Sequence, residues 1–136
     1  MNLNQFLFLA GRVLFSFMFI MSGYNHLTKL GAYAQYAGSQ GVPAPTLAVA
    51  VTGLMLLAGG VSILVGYRPR WGALLLVVFL IPTSVIMHRF WGLPDAMMAQ
   101  NQAAHFLKNI VMTGGALVIY YFATVHPERW PYSLGR

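Results

Sequence analysis

His105, Lys108 and Asn109 fall at i, i+3 and i+4, so on a helix they share one face. An imidazole, an ammonium and a carboxamide on one face form a donor set suited to a carbonyl oxygen or an anion. Related groups recur at His88, followed three residues on by Trp91, and at His26 and Lys29, also three apart. The stretch His88–Asn109 holds two of the four histidines and one of the only two acids in a chain otherwise built from apolar runs. Polar groups at the ends of apolar spans are costly to bury and need partners.

Two readings fit these residues. In the first, His26, Lys29, His88, His105, Lys108 and Asn109 line a pocket at membrane depth that holds the carbonyls of a quinone or an anion, with Trp91 stacking on the ligand. In the second, Lys29 and Lys108 snorkel to the headgroups, the histidines end helices and Trp91 anchors in the interface, with no ligand at all. Other chemistries are excluded more firmly. The acids Asp95 and Glu128 are predicted on opposite sides of the membrane, so no paired-carboxylate mechanism can be built, and no GxSxG, HExxH or Gly-rich phosphate loop is present. His26, His88, His105 and Asp95 share one end, but no two histidines have the i, i+4 spacing that pre-sets a metal pair, and no metal site is assigned. The chain has no cysteine, which removes disulfides, thiolate ligands and any dithiol relay.

The positions of these groups depend on the spans that carry them. The 136 residues are 58% hydrophobic and only 7% charged, whereas soluble domains carry about 25% charged residues, so the chain is an integral membrane protein. Its length suits one domain, residues 1–136. The net charge of +6 is spread over single cations rather than a stripe, which argues for topology-setting loop charges and against nucleic acid. The start, MNLNQF, lacks the basic region and cleavage site of a signal peptide, so the first apolar run is expected to remain as a span.

Apolar runs predict spans at about 6–27, 46–67, 71–88 and 103–124, each close to the roughly 20 residues needed to cross a bilayer. Residues 28–45 read as a short interfacial helix with Tyr33 and Tyr36 at headgroup depth, then a turn at Gly41 and Pro43. The tight Arg68–Pro69–Arg70 turn makes spans two and three an antiparallel hairpin. Pro82 should bend the third span. Residues 89–102 are expected to be a loop with a short helix at 95–97, and the tail after His126 an interfacial segment without a core of its own. Ala58, Ser62 and Gly66 recur every fourth residue and predict a close-packing face. The result is an all-α, up-down four-helix bundle. Arg68, Arg70, Arg129 and Arg136 on one side against Lys29, Arg89 and Lys108 on the other place both termini in the cytoplasm. Arg12, about two turns into the first span, must find partners inside the bundle; backbone carbonyls near Pro82 or the hydroxyls of Ser16 and Thr83 are the candidates, and its role is read as structural.

Seven segments in order give the chain a further identity: GR at Gly11–Arg12, SGYNHLTKL, QYAGSQGVPAP, GG at Gly59–Gly60, GYRPRWGA, HRFW at His88–Trp91 and FLKNIVMTGG. On these the sequence resembles the DoxX family of small four-span bacterial and archaeal membrane proteins over nearly its whole length. The resemblance implies a four-helix bundle in the cytoplasmic membrane. It also maps the family's recurrent polar positions onto Arg12, Lys29, His88, Trp91, Lys108 and Asn109. One branch is associated with a subunit of an archaeal thiosulfate:quinone oxidoreductase and others with redox-stress complexes. Many relatives carry a glutamate a few residues before the double glycine. Here that place, near Leu56, is apolar, which weakens any proton-coupled mechanism.

The expected function is therefore a membrane subunit that binds a quinone or similar lipid-soluble ligand near the noncytoplasmic face and works with redox-complex partners. An autonomous enzyme is not expected. The alternative is a ligand-free accessory subunit that packs through its small-residue faces against a larger complex or a second copy. A metal or ion permease ranks last, because the cytoplasmic half offers only Arg12 and scattered hydroxyls.

Overall fold

A computed structural model of the protein describes residues 1–134. Four helices are long and apolar enough to cross a membrane: α1 (Leu3–Thr28), α3 (Pro45–Val65), α4 (Pro69–Met87) and α5 (Ala96–Val125). A ten-residue helix, α2 (Leu30–Ser39), lies between α1 and α3, and one 3-10 turn, Pro127–Arg129, follows α5. Among the described residues there is no strand. The spanning helices pack as a ring, α1 on α3, α3 on α4, α4 on α5, closed by Phe8 and Phe15 of α1 against Phe122 and Gly115 of α5. Arg136, one of the tail cations counted for orientation, lies outside the described residues.

The helix limits follow local chemistry. Asn2 and Gln5 form a reciprocal capping box at the start of α1, satisfying two of the amides that a helix N-terminus leaves free. Pro45 and Pro69 occupy the first turns of α3 and α4, where the missing N–H is not needed. The main departure from expectation is at α5. The predicted 14-residue loop is shorter, because Asp95 caps the helix by accepting from the Met98 amide at 2.7 Å. The Ala, Met and Gln that follow are good helix formers, so the helix starts a full two turns before its apolar part. Gln102 consequently sits on α5.

Two close approaches set the width of the bundle. Gly59 and Gly72 meet backbone to backbone: a Cβ on Gly59 would lie 2.9 Å from the Gly72 carbonyl oxygen, and the reverse distance is also 2.9 Å. Gly60, one residue on and turned about 100° round the helix, faces the Ser16 carbonyl of α1 instead. The double glycine thus lets α3 approach α4 with one residue and α1 with the next. Gly23 and Gly53 continue the α1–α3 contact, with a Gly23 Cβ only 2.7 Å from the Gly53 oxygen. The small-residue face expected at Ala58, Ser62 and Gly66 holds in part: the Ser62 side chain lies against Gly72 of α4, and Gly66 is buried. Ala58 is exposed, and the packing face of α3 runs through Gly53, Leu56, Gly59, Gly60 and Ile63.

The tail after His126 also departs from expectation. Trp130 is 6% exposed and belongs to the main core with Phe19, Leu56, Ile63, Leu76 and Leu80. It packs edge-on against Phe8 at 4.9 Å between centroids. Arg12 holds this tail. Its guanidinium donates to the carbonyls of Pro131 (2.6 Å) and Tyr132 (3.2 Å) and to that of Leu64 in the last turn of α3. Neither the Pro82 region nor a hydroxyl partners Arg12. It stacks over Trp130 at 5.4 Å and is itself only 4% exposed. Gly66, at φ +70°, leaves the space in which Trp130 and Ser133 rest, since a Cβ there would fall 2.7 Å from each. Gly66→Ala therefore combines a left-handed backbone with a collision. It should lower the unfolding midpoint in detergent, and an unchanged midpoint would remove the tail from the folded core.

A candidate ligand cavity at one end of the bundle

At the end opposite the buried arginine, the bundle splays around a cavity of about 420 Å³. α2 makes this possible: Ala34 and Ala37 seat it on Val49 of α3, and it roofs the cavity rather than simply lying in the interface. The deeper wall is apolar, built from Phe19, Leu56, Phe79, Leu80 and Met112. The polar groups gather toward the ends of α1, α4 and α5, where His26, His88, His105, Lys108 and Asn109 all contribute lining. The i, i+3, i+4 face of α5 thus points where its spacing implied. Lys29 and Trp91 are not brought in. Lys29 is exposed at the α1–α2 junction, and Trp91, 50% exposed, packs with Phe90 and Phe106 outside the cavity wall.

The hydrogen bonds fix which nitrogen of each histidine carries a proton. His26 Nδ1 lies 2.8 Å from the Ser22 carbonyl, so it donates and leaves Nε2 as an acceptor. His88 Nδ1 is 3.0 Å from Gln102 Oε1, while the Gln102 amide donates to the Tyr36 hydroxyl at 3.2 Å. His88 is thereby also a donor through Nδ1. An ammonium can only donate, so the 3.5 Å approach of Lys108 Nζ to His105 Nδ1 makes that nitrogen an acceptor and puts the proton on Nε2. The His88 and His105 rings stack at 5.1 Å. The group therefore presents acceptors on His26 and His88 and donors on His105 and Lys108, and can meet either a carbonyl or a hydroxyl.

Asn109 is the most informative member. It is 4% exposed, lines the cavity, and its carboxamide has no hydrogen-bond partner among the described residues. Its backbone carbonyl, by contrast, is taken by the Thr113 hydroxyl at 2.8 Å. The side-chain amide and carbonyl keep access to the cavity, and a ligand there would supply the hydrogen bonds that the bundle does not.

His88, at the end of α4, is held below the ordinary histidine range. Burial is the main cause, reinforced by the nearby His105 and Lys108 charges and opposed by the bond to Gln102. The ring accordingly stays mostly neutral near pH 6.5, where a free imidazole is half charged. Nitrogen-15 spectra of the His88 ring should show the neutral tautomer at that pH, and Lys108→Met should move its titration upward. Tyr33, Tyr36, Phe79 and Gln102 were not anticipated around this site. The one usable signal was Asp95, whose capping role places Gln102 on the same helix as His105, two turns of ring-and-amide contact from His88.

No solved structure matches the chain. The family model for DoxX matches residues 7–89, a span that runs from the second turn of α1 through α4 and ends before α5. Two similar proteins from Escherichia coli (strain K12) are inner membrane protein YphA and inner membrane protein YqjF. The first is 27% identical over 83% of this chain and 80% of its own length, the second 30% identical over 82% and 79%. The place near Leu56 at which many relatives were expected to carry a glutamate falls in the cavity wall, with Leu56 fully buried.

Proposed function

The chain belongs to the DoxX family and is a multi-pass protein of the cytoplasmic membrane, and from that premise we propose that its cavity binds a quinone or a similar lipid-soluble ligand. The observation that carries this reading is Asn109, an unpartnered and nearly buried carboxamide in an otherwise apolar wall, next to the His105–Lys108 pair. The apolar body of the ligand lies against Phe19, Leu56 and Met112, and its ring oxygens meet Asn109, Lys108 and the histidines. The cavity volume of about 420 Å³ falls within the usual range for small-ligand sites, about 300–1,000 Å³. With no cysteine in the chain, electrons are exchanged with a partner subunit, and this protein supplies the ligand-holding membrane part of a redox complex. Both termini lie in the cytoplasm and the cavity toward the other face, an orientation a reporter fused after Arg136 tests directly.

A ligand-free accessory role is the competing reading, and it calls for every donor to be satisfied within the bundle; Asn109 argues against it. The test is titration of the purified protein with decylubiquinone, followed by intrinsic fluorescence and by calorimetry. Asn109→Leu and Lys108→Met should each weaken binding about tenfold, equivalent to about 1.4 kcal/mol. Trp91→Leu and Lys29→Gln, outside the wall, should leave it unchanged. Absence of binding by the native chain, or equal binding by all four variants, would sink the proposal.

A further inference from the structure

At the other end of the bundle a second cavity, of about 370 Å³, opens between the α3–α4 turn and the end of α5. Arg68, Arg70 and Trp71 form one side and Thr124, Trp130 and Ser133 the other. No acid lines it. Glu128, the one acid at this end, already lies 3.5 Å from Arg129 and 3.7 Å from His126. The two cavity arginines stack over their own neighbours, Arg68 over Tyr67 at 5.6 Å and Arg70 over Trp71 at 5.3 Å. Stacking positions a guanidinium without using its N–H groups, and neither arginine has a hydrogen bond or ion pair among the described residues.

A second observation points the same way. Trp130 is nine-tenths buried in the cavity wall, and its indole N–H, packed against Gly66, has no acceptor among the described residues. The Ser133 hydroxyl beside it is likewise without a partner among the described residues. Only Thr124 is already committed, donating to the Tyr120 carbonyl at 2.7 Å. Two free guanidiniums and a free hydroxyl around one space, with an unpaired indole N–H in the wall behind them and no competing carboxylate, ask for an acceptor-rich anion. The amide end of α4 adds to the same field, because Pro69 opens that helix here. Tyr67 and Trp71, each 51% exposed, have the residue type and position of interfacial anchors, which puts the space at the depth of lipid phosphates.

We propose that this second cavity binds a phosphate group, supplied by the headgroup of an anionic phospholipid or by free phosphate. The site is independent of the quinone reading, since it lies at the opposite end of the bundle and shares none of its residues.

The full chain in dodecyl maltoside should be titrated separately with dioleoyl phosphatidylglycerol, with dioleoyl glycerol as the phosphate-free counterpart, and with inorganic phosphate. Unfolding midpoint and native mass spectrometry serve as readouts. Phosphatidylglycerol should raise the midpoint and stay bound in the mass spectrum, whereas dioleoyl glycerol should do neither. Arg70→Gln should weaken the lipid at least tenfold, as should Arg68→Gln with Arg70→Gln. Arg129→Gln, which removes an exposed cation outside the cavity, should not. Because Arg70 is exposed, its single variant keeps the fold, which an unchanged midpoint without lipid verifies. An equal response to inorganic phosphate assigns the site to free phosphate. Retained lipid binding in the double variant, equal loss in Arg129→Gln, or no response to either phosphate source overturns the proposal.

Discussion

Arg12→Ala should lower the stability of the folded chain by about 3 kcal/mol or more and free its C-terminal tail. The substitution removes the donor from three carbonyls, those of Leu64, Pro131 and Tyr132, in part-buried hydrogen bonds that tie two segments together. Each buried acceptor left without a partner costs about 1–3 kcal/mol, and the lost packing against Trp130 adds to this. Two readouts check the result. The unfolding midpoint in detergent should fall, and limited trypsin digestion should cut faster after Arg129, where the buried side chain of the next residue, Trp130, holds the backbone in the native chain. Arg12→Lys separates charge from geometry, because an ammonium keeps the charge but cannot span carbonyls from two segments with a planar fork. It should recover only part of the loss. If Arg12→Ala unfolds at the native midpoint with the tail still protected, the arginine does not hold the end of the chain.

The second large effect is expected from a single methyl group. Gly59→Ala places a carbon 2.9 Å from the Gly72 carbonyl oxygen and 2.7 Å from the Leu76 side chain. Leu76 can shift, but the Gly72 backbone cannot move without taking α4 with it. Helix association in lipid depends on close backbone approach, so separating α3 from α4 should cost about 1–3 kcal/mol and loosen the core around Leu56 and Leu80. Gly114→Ala is the matched control: nothing lies within 4 Å of its added carbon, and alanine is the better helix former by about 1 kcal/mol. The first variant should melt lower than the native chain and the second at or above it. The same melting point for both would mean that the helices are not in contact at Gly59.

What could be read in advance follows from which forces act along the chain and which act across it. The four spans are continuous apolar runs, so hydropathy alone located them within a few residues except at the start of α5, and His105, Lys108 and Asn109 share a face that meets the cavity, Asn109 buried and Lys108 at its exposed rim. The early start of α5 was obscured because polar Gln100 and Gln102 resemble a loop; the Asp95 cap decides the matter locally. The partners of Arg12 were not legible at all. They are backbone carbonyls 52, 119 and 120 residues away, and a carbonyl has no sequence signature. For the same reason Trp130 read as an interfacial anchor when it is a core residue. The small-residue face was legible only in part, with Ser62 and Gly66 packed and Ala58 exposed, because spacing by four finds a stripe, whereas two neighbouring glycines can serve two different helices.

The Arg12 clamp also sets an order of events. Arg12 enters the membrane with the first span, but the carbonyls of Pro131 and Tyr132 are 119 and 120 residues further along the chain and are synthesised much later. Until then the inserted guanidinium lacks two of its three acceptors, and a chain that stops short of residue 131 keeps that deficit. Closing the segment at residues 130–132 over Arg12 is therefore the step by which a chain that has reached it differs, in stability and in protease resistance, from one that has not.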